Sequence, residues 1–303
     1  MNPISQFIHR VIIKAQAEEF FVRLRKKASV IRKFIPVGFR SKFPSLGRFI
    51  PNAAAYPTGD SYFLTRDNTH FNIDRSDYVQ WRLFYGVRDN ALLAAKKNLQ
   101  SGGIVLDIGA NFGAFSIRLA NYISEQKLSD VHIHAFEPNP VVAKNYKNNL
   151  SLNPNLKDVI QFYPIGLGSE TGDRLLSYKI SNTGAGRVTR EAATDHIRIK
   201  IERLDDFIDK LNPPKIAFIK LIVEGFEPEV FKGGWKTIST YKPPIFFEVT
   251  ESWWKENNST IEDVLNKLRA LGYHFMIEHY NEMRPYEPSK YSSRTQFNLM
   301  ATV

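Results

Sequence analysis

The chain has 303 residues, 43% of them hydrophobic, which is enough for one large α/β domain with an appended segment. It contains no cysteine, which excludes disulfides and thiolate metal sites and favours a reducing compartment, the cytoplasm. No apolar run approaches the roughly 18 residues that span a bilayer. The net charge is +10, but residues 1–50 hold 11 basic and two acidic side chains, so the rest carries only +1. A near-neutral body argues against a nucleic-acid substrate, whose phosphates need a basic cleft.

The basic charge is concentrated in a leader. Residues 5–33 alternate apolar and basic positions at helical spacing and predict a basic amphipathic helix. Such a helix binds peripherally to an anionic membrane, or it packs on its own domain or on a second copy of the chain, and the pattern does not separate these alternatives. Prolines and glycines are dense between residues 35 and 60, which indicates a linker. We therefore predict a basic helical leader with its linker over residues 1–58, and one α/β domain over residues 59–303.

The most informative segment reads as a strand, a glycine turn and a helix. Residues 104–108 form an apolar run typical of a buried strand, and Asp107 needs a partner there. Gly109 and Gly113 flank the turn, and an amphipathic helix follows. Glycine lets a ligand approach the backbone closely, and the free N–H groups at a helix start face that ligand. The segment predicts a site for a nucleotide-type cofactor.

A second acid, Glu137, ends the next predicted strand, about one βαβ unit further on. A carboxylate at that strand tip is placed to accept hydrogen bonds from a ribose diol. Both features are shared by S-adenosylmethionine sites and dinucleotide sites. Dinucleotide sites usually carry a further glycine so that the pyrophosphate fits, whereas Asn111 stands at that position here. The residues therefore favour S-adenosylmethionine, and an NAD-dependent enzyme stays as the less favoured alternative.

Five motifs in a fixed order resemble the FkbM family of S-adenosylmethionine-dependent methyltransferases, over roughly residues 60–250. They are Asp107-Ile-Gly-Ala-Asn-Phe-Gly113, Phe136-Glu-Pro-Asn-Pro140, Leu204-Asp-Asp206, Lys220-Leu-Ile-Val-Glu-Gly225 and Lys232-Gly-Gly234. The resemblance implies a Rossmann-like α/β fold of the class I methyltransferase type, with a seven-stranded, mostly parallel sheet and helices on both faces. It also implies O-methylation of a hydroxyl on a sugar, a glycan precursor or a similar natural product.

The same resemblance implies roles for individual residues. Asp107, Gly109, Asn111 and Gly113 line the methionine end of the cofactor, and Glu137 holds the ribose hydroxyls. In this fold class the end of the third strand lies near the adenine. The whole predicted cofactor-binding set is Asp107, Gly109, Ala110, Asn111, Gly113, Glu137, Pro138, Ile165 and Gly166.

One position departs from the family pattern. The motif normally has an aspartate where this chain has Ile222, and isoleucine neither accepts a proton nor binds a metal. We expect no metal site, because three convergent ligands cannot be assembled around that position. Two interpretations stay open: Ile222 only tightens the pocket wall, or the chain is a weakened catalyst that keeps the fold as a binding or scaffold protein.

Glu224 and Glu248 are the predicted catalytic residues. Methyl transfer to an alcohol usually needs a base for the proton, and both carboxylates lie at predicted strand ends on the cofactor side of the sheet. Glu224 is the first choice because its Glu-Gly sequence matches the family motif. The alternative for either residue is a hydrogen-bonded structural anchor.

The third strand of the sheet is predicted over residues 159–167, and an antiparallel strand pair over residues 174–180 and 197–201. Between the members of that pair, residues 181–186 read as a flexible polar loop that resembles the family's substrate-side loop and suits a lid. The alternative is an ordinary hairpin connection.

The expected partner is a small-molecule or glycan acceptor, with no nucleic acid.

Overall fold

The computed structural model describes residues 52–179, 182–189, 196–257, 259–279, 282–291 and 294–303. The predicted basic leader lies outside these residues, so its helix and the domain boundary at residue 58 stay predictions. The described chain forms two compact units. Residues 52–62 and 73–88 make the smaller unit, and residues 63–72 and 89–303 make the larger one. None of the described helices is long and apolar enough to cross a membrane.

The described strands belong to one hairpin and two larger sheets. In chain order they are β1 Ser61–Arg66, β2 Thr69–Asp74, β3 Gly103–Ile108, β4 Val131–Phe136, β5 Ile160–Tyr163, β6 Gly166–Gly168, β7 Gly172–Lys179, β8 Asn182–Thr189, β9 His196–Arg203, β10 Ile216–Leu221, β11 Ile245–Thr250, β12 His274–His279, β13 Glu282–Pro285 and β14 Gln296–Thr302. The hairpin pairs β1 with β2.

The described helices mostly alternate with the strands of the main sheet. In chain order they are α1 Tyr78–Tyr85, α2 Asn90–Asn98, α3 Ala114–Glu125, α4 Pro140–Ser151, α5 Leu204–Leu211, α6 Glu227–Gly233, α7 Trp235–Tyr241, α8 Glu251–Glu256, α9 Ile261–Ala270 and α10 Pro288–Tyr291. Short 3-10 turns occur at Ala53–Ala55 and Pro154–Leu156.

The main sheet runs in the order β13-β12-β14-β11-β10-β3-β4-β5. The five strands from β11 to β5 are parallel, and β14, β12 and β13 pair antiparallel to their neighbours. From β3 the chain moves outward to β4 and β5, then returns to β10 and moves the other way to β11. Because crossover connections are right-handed, such a reversal puts the connecting helices on opposite faces and opens a crevice at the carboxyl ends of β3 and β10.

The predicted α/β fold with a mostly parallel sheet is confirmed, but the predicted number of seven strands is wrong. The main sheet has eight strands in the described residues, because the chain folds back after β12 into the short edge strand β13. The last two long strands, β12 and β14, form an antiparallel pair in this sheet, with Phe275 opposite Ala301.

The prediction of one strand over residues 159–167 is also wrong. The strand β5 ends at Tyr163, and the chain then changes sheet, so that Gly166 begins β6. Pro164 stands between the two strands. Proline has no backbone N–H to donate to a sheet ladder, so it interrupts the run at that residue.

The second sheet has the order β6-β9-β7-β8. The predicted antiparallel pair is confirmed as β7 and β9, with Leu175 opposite Arg198. The flexible loop predicted over residues 181–186 is wrong for residues 182–186, which belong to β8, and residue 181 lies outside the described residues. The strand β8 pairs antiparallel with β7, so that sheet hydrogen bonds stabilise a segment whose glycines suggested a loop.

Candidate functional site

The turn after β3 needs glycine for a steric reason. Gly109 has a φ of 82°, and a Cβ added there would lie 1.9 Å from the carbonyl oxygen of Ile222. Ile222 follows β10 directly, and its N–H donates to the carbonyl of Ile108 at 3.1 Å. The ends of β3 and β10 are therefore in backbone contact at the crevice. Gly113 has a φ of 93° and precedes α3, which begins without a side-chain cap.

Asp107 is fully shielded from solvent and is bound on both oxygens by the protein itself. Lys220 Nζ lies 2.9 Å from its Oδ1, and the hydroxyl of Ser116 donates to its Oδ2. Lys220 also donates to the carbonyl of Gly109 at 2.8 Å. The role of Asp107 at the methionine end of the cofactor stays a prediction, and the observed contacts link it through Lys220 to the glycine turn. Lys220 was missed, although a lysine inside an apolar strand signals a buried partner.

Glu137 directly follows β4 and accepts a hydrogen bond from the backbone of the glycine turn after β3. Its Oε2 accepts from the N–H of Asn111 at 3.0 Å, and its Oε1 accepts from the N–H of Asn139 at 2.9 Å. Burial raises the pKa of Glu137 to about 7. Each carboxylate oxygen has two lone pairs, so both keep capacity for another donor. Asn111 adopts the left-handed conformation, with a φ of 51°, and its side chain accepts from the N–H of Phe112.

The residues predicted near the adenine lie where the chain passes from β5 to β6, beside the segment that follows β4. Gly166 faces Pro138, since a Cβ added to Gly166 would lie 3.4 Å from Pro138 Cγ and 2.6 Å from Ile201 Cδ1. Ile165 is partly exposed between β5 and β6, whereas Ala110 is buried within the glycine turn. The predicted cofactor residues thus line the carboxyl ends of β3, β4 and β5.

Glu224 is in a strained position just beyond β10. Its φ is 54°, a conformation that costs a non-glycine residue about 1–3 kcal/mol and is found preferentially at functional sites. Its partly exposed carboxylate has no hydrogen-bond partner within the described residues. Burial raises the pKa of Glu224 to about 8, and the neighbouring carboxylates of Glu248 and Glu227 add to the shift. Glu248, on β11, accepts from Gln296 Nε2 at 3.1 Å. The structure therefore brings the two predicted catalytic carboxylates together.

Glu227 is a further residue of this cluster that the sequence analysis missed. It is fully buried in the first turn of α6, where Val223 donates a backbone N–H at 2.8 Å and Trp254 donates its indole N–H at 3.1 Å. Burial raises the pKa of Glu227 to about 7. An acid in a first helical turn, three residues after Glu224, was the available signal.

Residues 107–275, more than half of the chain, match the Methyltransferase FkbM domain. The chain belongs to the FkbM methyltransferase family. It is 28% identical to the methyltransferase sdnD of Sordaria araneosa, over 45% of this chain and 62% of that protein. It is 26% identical to the hexuronic acid methyltransferase AglP of Haloferax volcanii, over 43% of this chain and 49% of that protein. The chain thus spans less than two thirds of the length of either curated relative.

Solved structures give weaker similarities. A methyltransferase FkbM from Methylobacillus flagellatus KT is 20% identical with a TM-score of 0.43, over 67% of this chain and 44% of that one. An rRNA-methylase from Clostridium thermocellum, described as putative, is 12% identical with a TM-score of 0.40, over 70% of this chain and 93% of that one.

Two FkbM motifs outside the glycine turn make buried structural contacts in this chain. Asp205, of the Leu204-Asp-Asp206 motif, is buried and accepts from the N–H and hydroxyl of Thr237 at 2.9 and 2.7 Å. Gly233, of the Lys232-Gly-Gly234 motif, packs against β6 so closely that a Cβ would lie 1.8 Å from the carbonyl oxygen of Gly168. The first motif therefore joins α5 to α7, and the second packs α6 onto the second sheet.

Within the described part of the FkbM domain, no three or more His, Asp or Glu residues are grouped so that they could hold a metal ion. In the cluster of Glu224, Glu227 and Glu248, burial raises the pKa values of Glu224 and Glu227, and repulsion between the carboxylates adds a smaller contribution.

Proposed function

We propose that this FkbM-family protein is an S-adenosylmethionine-dependent methyltransferase that methylates a hydroxyl of a sugar, a glycan precursor or a similar natural product. The observation that carries the proposal is Glu137. Its carboxylate stands at the tip of β4 beside the glycine turn, and each of its oxygens is bound by one backbone N–H and retains a free lone pair. A ribose diol is the complementary donor for such a carboxylate.

The residues at the turn fit this cofactor. A side chain on Gly109 would meet the carbonyl oxygen of Ile222, so glycine is needed for the close approach of the chain after β3 and after β10, and in this proposal the backbone of the turn faces the cofactor. Asn111 keeps its amide folded onto the backbone of Phe112, which leaves a surface suited to a cofactor without phosphate. Glu137 would hold the ribose, and Pro138, Ile165 and Gly166 would lie along the adenine. When bound, S-adenosylmethionine supplies an electrophilic methyl group.

On the acceptor side, the proposed role of Glu224 is to receive the proton of the hydroxyl that is methylated. Its carboxylate is close to Glu248, free of hydrogen bonds within the described residues, and poised by its raised pKa to ionise near pH 8. Glu248 strengthens the basicity of Glu224 by repulsion. Because Ile222 stands where the family motif has an aspartate, the proposal assigns this proton transfer to Glu224 alone.

The nature of the acceptor is supported by charge and by relatives. Residues 51–303 carry a net charge of only +1, which favours a small molecule or a glycan over a nucleic acid. One relative is described as a hexuronic acid methyltransferase, so a sugar acceptor occurs in a protein similar to this one. We also propose a cytoplasmic location, with the leader over residues 1–50 as a contact for a membrane or a second copy.

Calorimetric titration with S-adenosylmethionine and S-adenosylhomocysteine tests the cofactor. We expect both to bind, and failure of both to bind would remove the enzyme proposal. NADH serves as the comparison ligand, because an NAD enzyme is the alternative that Asn111 disfavours. A screen with methyl-labelled cofactor and glycan extracts then separates an enzyme from the scaffold alternative that Ile222 favours. Cofactor binding without any labelled product would support the scaffold.

A further inference from the structure

Arg187, near the end of β8, brings a guanidinium to the turn that holds Glu224. Its Cζ lies 4.6 Å from the ring centroid of Trp253, and its Nη2 donates to Glu256 at 2.5 Å. Trp253 packs on the turn, because its Cβ lies 2.6 Å from where a Cβ on Gly225 would stand. The second sheet therefore places a cation beside the proposed acceptor side of the crevice.

The guanidinium of Arg187 keeps donors for another ligand. Arginine has five N–H donors in a planar fork, and only Nη2 has an acceptor in the part of the chain that the structure describes. Nε is buried without any such acceptor. The side chain is still 36% exposed, and Glu256 is 60% exposed, so their ion pair is worth little and an incoming anion can replace it. Contact with Trp253 holds the guanidinium over the indole ring, and its planar fork suits recognition of an oxygen anion.

The charges around Arg187 and the turn are compatible with an anionic ligand. Two acids, Glu248 in β11 and Glu227 in α6, raise the pKa of Glu224 by repulsion. Two cations, Lys220 in β10 and Arg187 itself, lower it. Fully ionised, the acids would repel an anion. The raised pKa of Glu224, about 8, keeps that residue mostly neutral at pH 7. The raised pKa of Glu227, about 7, keeps it partly neutral at the same pH.

We propose that the acceptor carries an oxygen anion, such as the carboxylate of an acidic sugar, which binds Arg187 while the hydroxyl to be methylated lies at Glu224. This inference rests on the proposed methyltransferase function and adds to it the charge of the acceptor. Arg187 acts as a specificity-determining residue and Trp253 as its support.

The test uses the full chain saturated with S-adenosylhomocysteine. Methyl glycosides of glucuronic, galacturonic and mannuronic acid, and of the corresponding neutral sugars, are titrated by calorimetry. We expect at least one acidic sugar to bind about tenfold or more tightly than its neutral counterpart, as a hydrogen bond to a charged group permits. Arg187→Gln should abolish that preference. Arg187→Lys keeps the charge without the fork and should keep an intermediate preference.

Arg174→Gln is the matched control, because Arg174 lies on the neighbouring strand β7 in an exposed pair with Glu170. It should leave the preference unchanged. Equal binding of acidic and neutral sugars, no binding of any acidic sugar, or a preference that survives Arg187→Gln would each overturn the inference. Before any sugar is added, the chain is titrated with S-adenosylhomocysteine alone. This step reports on the proposed function separately. Normal cofactor binding without acidic preference removes only the inference, whereas absent cofactor binding removes the proposed function and the inference with it.

Discussion

Lys220 and Asp107 form a buried ion pair across two neighbouring parallel strands, with Lys220 Nζ 2.9 Å from Asp107 Oδ1. The pair lies where the strand order reverses, at the crevice between β3 and β10. Since Lys220 also binds the carbonyl of Gly109, the pair fixes the glycine turn from inside the sheet. The conformation of the glycine turn, where we propose that the cofactor binds, thus depends on a buried ion pair within the sheet.

Lys220→Met should lower the free energy of unfolding by about 3–5 kcal/mol, because it leaves the carboxylate of Asp107 buried without its partner. Chemical denaturation measures this change. The control is Lys210→Met, which breaks the exposed pair with Glu202 and should change the free energy of unfolding far less, because water screens that pair. Equal costs for the two substitutions would show that the buried pair does not anchor the fold.

Gly109→Ala and Gly102→Ala separate steric contact from backbone strain. Both glycines have positive φ, 82° and 84°, but a Cβ at Gly102 meets nothing within 4 Å, whereas one at Gly109 meets the carbonyl of Ile222 at 1.9 Å. Gly102→Ala should cost about 1–2 kcal/mol, the strain alone. Gly109→Ala should cost clearly more and abolish cofactor binding. Denaturation midpoints and calorimetry check both, and similar midpoints would contradict the observed contact.

Glu137→Ala should weaken S-adenosylmethionine binding by about 1.5–3 kcal/mol, the value of hydrogen bonds to a charged group. Glu137→Gln keeps the shape and should lose less. The pKa of Glu137 is about 7, so we also expect cofactor affinity to fall as the pH drops below 7 and the carboxylate takes up a proton. Isothermal titration at pH 6 and 8 measures this. Glu170→Ala, an exposed acid, is the control, and unchanged affinity in Glu137→Ala would show that the ribose is held elsewhere.

Glu224→Gln should remove activity and at the same time stabilise the protein at high pH. The folded-state pKa is raised from an ordinary 4.5 to about 8, so the folded protein binds more protons than the unfolded chain between those values. The free energy of unfolding therefore decreases as the pH rises through this window. The variant lacks that decrease and should be more stable than the wild type at pH 9.

The same pKa sets the expected rate profile. If the ionised carboxylate of Glu224 receives the proton, wild-type turnover should rise with pH until about 8 and then level off. A flat profile between pH 6 and 9, with activity retained in Glu224→Gln, would assign the proton transfer to another group.

Ile222→Asp restores the carboxylate of the family motif at a partly exposed position. If its absence limits methyl transfer, turnover should rise by at least about tenfold, within the range of a general base, with little change in cofactor affinity. The backbone contacts of Ile222 with Ile108 and Gly109 do not depend on the side chain and should persist. An unchanged or lower rate would show that the pocket is adapted to isoleucine.

The sequence was sufficient for the parts of the fold that local chemistry determines. The glycine turn, the acid at the end of β4 and the alternating strands and helices each leave a short-range pattern, and the positions of Gly109 and Glu137 followed from it. The strand end at Tyr163 was missed because buried apolar residues continue past Pro164. Because proline has no N–H for the sheet ladder, the strand ends there although apolar residues follow.

Long-range partners were not predictable in the same way. Lys220 meets Asp107 only because β10 returns to pair with β3, 113 residues further along the chain. Arg187 meets Trp253 only because β8 joins β7 in place of forming a loop. Sequence spacing carries no signal for either contact, although the isolated lysine in an apolar strand indicated that some acid had to be near.

The extra strand β13 has a consequence for how this protein behaves at high concentration. It covers β12 and presents a new outer edge that contains the Glu282–Arg284 ion pair and ends in Pro285. A proline offers no N–H to an incoming strand, and charged side chains on an edge make further strand addition unfavourable. We therefore expect this edge of the sheet to resist edge-to-edge aggregation, so that any stable self-association on this side uses side-chain surfaces and not an extended sheet.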